Sequence, residues 1–138
     1  MKKRVTYRIE LRCDHPEWWR FNVVMTAQGL DEPESPSAYF AISDTIAPVD
    51  GEEHFKPADY PAERCSCLEC GPCHEFEFYL YILPHSLPDE NDVDNTPSFE
   101  AELTILSGRS RLYQRRVEVN RWGGATLRLR WPEPQRHD

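Results

Sequence analysis

The sequence predicts an all-β fold, an antiparallel β-sandwich of immunoglobulin-like or jelly-roll type with about seven strands and long acidic, proline-containing loops. Three observations carry this expectation. Apolar residues alternate with polar ones over several short runs, which is the period of a strand with one buried face. The 12 prolines lie mainly between those runs. No stretch shows an apolar stripe of helical period long enough to nucleate a helix.

Val5, Tyr7, Ile9 and Leu11 alternate with Thr6, Arg8, Glu10 and Arg12, giving a first strand that ends at His15-Pro16. Trp18 to Thr26 is dense in aromatic and β-branched residues and is expected as the second strand, with Trp18 and Trp19 pointing to opposite faces. Gln28 to Ser37 reads as a loop, and Ala38 to Ser43 as a short third strand. From Asp44 to His74 the spacing of Pro48, Gly51, Pro57, Pro61 and Pro72 predicts a long irregular excursion. Glu75 to Leu83 is the most apolar strand pattern in the chain, ended by Pro84, and His85 to Pro97 is a second acidic loop.

The last third reads as a three-stranded meander. Phe99, Ala101, Leu103 and Ile105 form one face of a strand that turns at Ser107-Gly108-Arg109-Ser110. A bulge near Gln114 to Arg116 explains a change of parity in the next strand. A turn at Trp122-Gly123-Gly124 would then set Val119 opposite Leu127 and Glu118 opposite Arg128, with Trp131 closing the last strand. One domain over residues 1–131 and a fraying tail over 132–138 follow from this pattern.

Charge is unevenly spread. The formal net charge is -8, yet 14 of the 16 Lys and Arg lie before Phe21 or after Gly108. Basic and acidic strands that neutralise each other across a sheet account for this better than a basic binding patch does. An acidic total argues against nucleic acid or an anionic membrane as partner. No run approaches the roughly 18 apolar residues of a membrane span. The basic start has no apolar segment behind it, so a cytoplasmic protein is expected.

The chemistry is concentrated at Cys65-x-Cys67-x-x-Cys70-x-x-Cys73-His74. Sulfurs so closely spaced suit tetrahedral zinc, because a Cys-x-x-Cys turn supplies two thiolates from one knuckle. Structural zinc on Cys65, Cys67, Cys70 and Cys73 is the leading expectation, with His74, Cys13 and His15 as further candidate ligands. Disulfides, free thiols and an iron-sulfur cluster are the alternatives.

Cys70-Gly71-Pro72-Cys73 is also similar to the thioredoxin active site, a resemblance of four residues that implies a reactive dithiol; here a strand pattern follows in place of a helix. Cys67-x-x-Cys70-x-x-Cys73 resembles part of a ferredoxin cluster motif, without its proline-marked fourth cysteine. The acidic run Asp89 to Asn95 carries oxygen ligands suited to calcium, but it lacks the glycine and terminal glutamate of an EF-hand loop and reads better as a solvated loop.

The functional expectation is a non-enzymatic binding or assembly module with a protein partner, its long loop ordered by zinc and presenting an acidic surface. A thiol-based redox or metal-responsive protein is the first alternative, and a secreted or periplasmic disulfide-stapled domain the second. An enzyme comes last, since no acid, base and nucleophile are brought together by the sequence.

Overall fold

Alternation at Tyr7, Ile9 and Leu11 produces the strand around which the first sheet forms, and in the computed structural model all three side chains are buried. The structure describes residues 4–32, 35–46, 55–58, 60–61, 63–89 and 96–132. Its strands are β1 (Val5–Cys13), β2 (Phe21–Glu32), β3 (Ser35–Asp44), β4 (Arg64–Cys73), β5 (Glu75–Pro84), β6 (Phe99–Ser107), β7 (Ser110–Val119) and β8 (Ala125–Trp131). They make two four-stranded antiparallel sheets, ordered β4-β1-β6-β7 and β3-β2-β5-β8. The expected sandwich is the observed architecture, with the alternate residues of both inner faces filling one core.

Several local expectations are corrected. Trp18–Arg20 is a 3-10 turn and not strand. It lies between β1 and β2, so both tryptophans pack inward: Trp18 is 1% and Trp19 5% exposed. The supposed loop before Glu75 is strand from Arg64 onward, because β4 pairs along its length with β1, from Cys13 opposite Arg64 to Val5 opposite Cys73. The third strand begins earlier than Ala38 and hairpins back onto β2. The bulge in β7 falls opposite Ile105 and Leu106, at Leu112, and not near Gln114 to Arg116.

The meander is also overturned. β8 does not pair with β7; it crosses to the other sheet and lies beside β5, with Leu129 opposite Phe78, Arg128 opposite Tyr79 and Leu127 opposite Leu80. Only Asn120 and Gly124 bridge at the turn itself. Asn120 holds that corner, its side-chain oxygen accepting from the amides of Trp122 and Gly123 at 2.8 and 2.9 Å. Gly124 has φ of +78°, and any side chain there would run into the Ile82 carbonyl.

The balance of basic ends and acidic middle resolves into local pairs. Arg8 and Arg12 flank Glu10 at 3.8 and 3.3 Å. Arg4 pairs with Asp31, Arg116 with Glu100 and Arg130 with Glu75. Two buried arginines do more. Arg20 donates to Glu17, Ser86, the Leu87 carbonyl and Asp89, and lies 4.4 Å from the Trp19 ring centroid. Arg64, on β4, donates to the carboxylate and carbonyl of Asp44 on β3 at 2.9 and 3.0 Å, and to the carbonyls of Trp18 and Phe21 at 3.1 and 2.8 Å. Ser66 donates to the same Asp44 carboxylate at 2.6 Å.

Arg64 thus ties an edge strand of one sheet to an edge strand of the other. Replacing it with Met removes the charge and its bonds to Asp44 and to the Trp18 and Phe21 carbonyls, so Arg64→Met should lower stability by about 3 kcal/mol in urea unfolding. A loss below about 1 kcal/mol would mean the guanidinium does not hold the sheets together.

Candidate functional site

As a strand, β4 distributes the cysteines by parity. Cys65 and Cys67 take the outer positions, where Cys65 is exposed and Cys67 half-buried, and Cys70 and Cys73 turn into the core. Two residues separated by three positions would ordinarily face opposite ways. They share a face here because Val5 is opposite Cys73 while Tyr7 is opposite Cys70, so β4 carries one residue more than β1 across this interval. Cys70-Gly71-Pro72-Cys73 is therefore a bulge within a strand.

Gly71 makes the bulge fit. Its φ is +132°, and an added Cβ would lie 2.6 Å from the Val5 carbonyl oxygen and 2.8 Å from the Thr6 Cα. Arg4 holds the neighbouring chain, donating to the Pro72 carbonyl at 3.1 Å while it pairs with Asp31. His74 is the single residue between β4 and β5; its amide donates to the Leu30 carbonyl at 3.2 Å and its carbonyl accepts from the Tyr7 hydroxyl at 3.1 Å.

Cys70 and Cys73 are both fully buried and share the inner face across the bulge. Burial pushes both up from the ordinary thiol range, and the neighbouring sulfur raises Cys70 further. This opposes the thioredoxin-like expectation: a reactive dithiol needs a stabilised thiolate, usually at a helix N-terminus, whereas a strand follows here and the surroundings are apolar. Tyr7, packed 5.0 Å from Phe76 by ring centroids, is raised for the same first reason, burial.

On the outer face the Cys65 thiol donates to Glu10 at 3.7 Å, within the Arg8-Glu10-Arg12 ladder. Cys13 donates to the Glu100 carbonyl at 3.6 Å. Cys13 and Cys65 both line an open cleft of about 670 Å³ together with Arg12, Glu100, Glu102 and Arg116. His15 accepts from the Glu17 amide through Nδ1 at 3.1 Å and stacks on Phe99 with centroids 4.1 Å apart, and burial lowers its pKa. It is a packing residue at the turn.

A tetrahedral zinc centre needs its four donors on one small sphere. The strand places two sulfurs outside and two inside, so Cys65, Cys67, Cys70 and Cys73 do not fit a single ion. Among the described residues, no three or more His, Cys, Asp or Glu side chains are grouped to hold a metal. Of the acidic run considered for calcium, Asp89 is engaged by Arg20 at 3.1 Å, and residues 90–95 lie outside the described residues.

The sequence reading passed over a different surface. On the outer face of the second sheet, β5 presents Tyr79, Tyr81 and Leu83, and β3 presents Tyr39 two strands away. Tyr39, Tyr81 and Leu83 are 64%, 39% and 46% exposed, three of the six exposed large hydrophobic side chains among the described residues. Arg128 of β8 lies 5.5 Å from the Tyr79 ring centroid at one margin of this face. The signal was present, since Tyr79 and Tyr81 alternate with buried Phe78, Leu80 and Ile82, but the strand's neighbours were needed to show that these rings join others.

Two measurements check the thiol geometry. Gly71→Ala forces the bulge against β1 and should destabilise by about 2 kcal/mol or more; an unchanged urea midpoint would contradict the close approach. Above about pH 9 the unfolded chain releases its thiol protons while native Cys70 retains its own, so protonation there favours the native state only below that range. Stability should accordingly fall above about pH 9, by up to about 1.4 kcal/mol per pH unit from this group. The fall should be shallower in Cys70→Ala, and identical profiles would place the Cys70 thiol in water.

Comparison of the chain with protein-family models, with curated proteins and with solved structures gave no match.

Proposed function

We propose that this chain is a non-enzymatic binding or assembly module that engages a protein partner through the tyrosine-bearing outer face of the β3-β2-β5-β8 sheet. The observation that carries the reading is that Tyr39, Tyr79, Tyr81 and Leu83 share the outer face of one sheet, three of them exposed. Aromatic rings on a rigid backbone offer large contact area at low entropic cost, which is why they dominate protein-binding hot spots. Thr26 and Gln28 of β2 lie between Tyr39 and the β5 side chains, and Arg128 at one margin, and they supply polar contacts.

The thiols support a structural role better than a catalytic one, because burial raises all four thiols of β4 above the ordinary range. Zinc on the four-sulfur set is not part of this reading, since the donors are divided between two faces. A membrane partner is not part of it either; no helix among the described residues is long and apolar enough to cross a bilayer.

The test is affinity capture from the native cell extract with the wild-type chain and with a Tyr39→Ser, Tyr81→Ser, Leu83→Ser variant. All three positions face solvent, so the variant should unfold within about 1 kcal/mol of wild type. A protein retained by the wild type should be lost, at least tenfold, from the variant. Equal retention by a folded variant would remove this face from the binding surface.

A further inference from the structure

We propose that Cys70 and Cys73 close into a reversible internal disulfide across the Gly71-Pro72 bulge, exchanging with small-molecule disulfides of the glutathione type. This goes beyond the binding role of the tyrosine face and stands on separate residues.

Three features converge on these two sulfurs. The extra residue in β4 turns both side chains to the same inward face, where regular strand geometry would have separated them. Gly71 and Arg4 fix that bulge, by the close approach to Val5 and by the bond to the Pro72 carbonyl. The two thiols are fully buried within the same core cluster, and all other cysteines lie on the outer face or in the Cys13 cleft. Folding has therefore selected one pair out of five thiols and turned that pair to one buried face.

The reaction balances as an exchange. One thiolate attacks the small disulfide and expels a small thiolate. The second then attacks the resulting mixed disulfide, forming the Cys70–Cys73 S–S bond and expelling the other small thiol. Cys70 and Cys73 together lose two electrons and two protons, and the small disulfide becomes two thiols. Access is through β4, an edge strand paired on one side only, to β1; local opening of such an edge exposes the sulfurs transiently. Burial makes the approach slow and leaves the equilibrium to be decided by geometry. Preorganised sulfurs favour closure in the folded chain over the same pair in a disordered one.

The full-length chain is equilibrated in graded mixtures of reduced and oxidised glutathione, once folded and once in urea, then acid-quenched and alkylated. Cleavage after Glu69 and Glu75 releases Cys70–Glu75, which holds this pair and no other cysteine. The closed form is lighter than the open form by two hydrogen atoms before alkylation and takes up no alkyl group. Folding should shift the equilibrium constant for closure toward the disulfide by at least about tenfold. A constant equal to or below that in urea would overturn the proposal, as would recovery of this peptide from the folded chain with glutathione on either cysteine in place of the internal bond. Neither result bears on the tyrosine face, whose variant keeps both thiols.

Discussion

The guanidinium of Arg64 is the constraint on which the arrangement of the cysteine strand depends. It sits at the first residue of β4, with its side chain 5% exposed, and its donors reach Asp44 on the opposing sheet and the carbonyls at the entry to β2. A buried cation is costly unless its hydrogen bonds are met, and here several partners meet them at once, with the Trp18 ring 5.3 Å away. That requirement pins the start of β4 at one place and one facing. From Arg64 inward, Ser66, Leu68 and Cys70 must then also face the core, and Cys65, Cys67 and Glu69 must face out.

The consequence is a division of labour among residues of one chemical kind. The outer thiols sit in a charged ladder where Glu10 accepts from Cys65 and pairs with Arg8 and Arg12. The inner thiols lie in the same core cluster as Tyr7 and Phe76. Had the segment been a free loop, the sulfurs could have converged on one ion; as a strand registered against β1, they cannot without losing that pairing.

The charge pattern follows a similar logic. Arginines from both chain ends are spent against carboxylates nearby in space, as in Arg4 with Asp31, Arg20 with Asp89 and Arg130 with Glu75. On the outer face of the second sheet the tyrosines therefore lie among paired charges, with Glu75 bound to Arg130 and Arg128 beside the Tyr79 ring. A rigid sheet presenting aromatic rings is suited to holding a partner, and the buried dithiol beneath the edge of the other sheet is suited to a slow covalent change that does not alter that face.

Alternating hydrophobicity by itself determined the all-β class and the buried faces of β1, β5 and β6, because period-two patterning requires only that a strand have one wet side. It also located the turn at Ser107 to Ser110. What only the tertiary structure decided was partner choice: that β8 leaves β7 to lie beside β5, that Trp18 and Trp19 are both buried, and that Arg64 to Cys73 is strand despite its proline, cysteines and few apolar residues. Each of these depends on contacts between residues far apart in the chain. The cysteine spacing announced that the sulfurs are concentrated in one segment, but which of them share the inner face was set by a one-residue bulge, visible only once β4 is registered against β1.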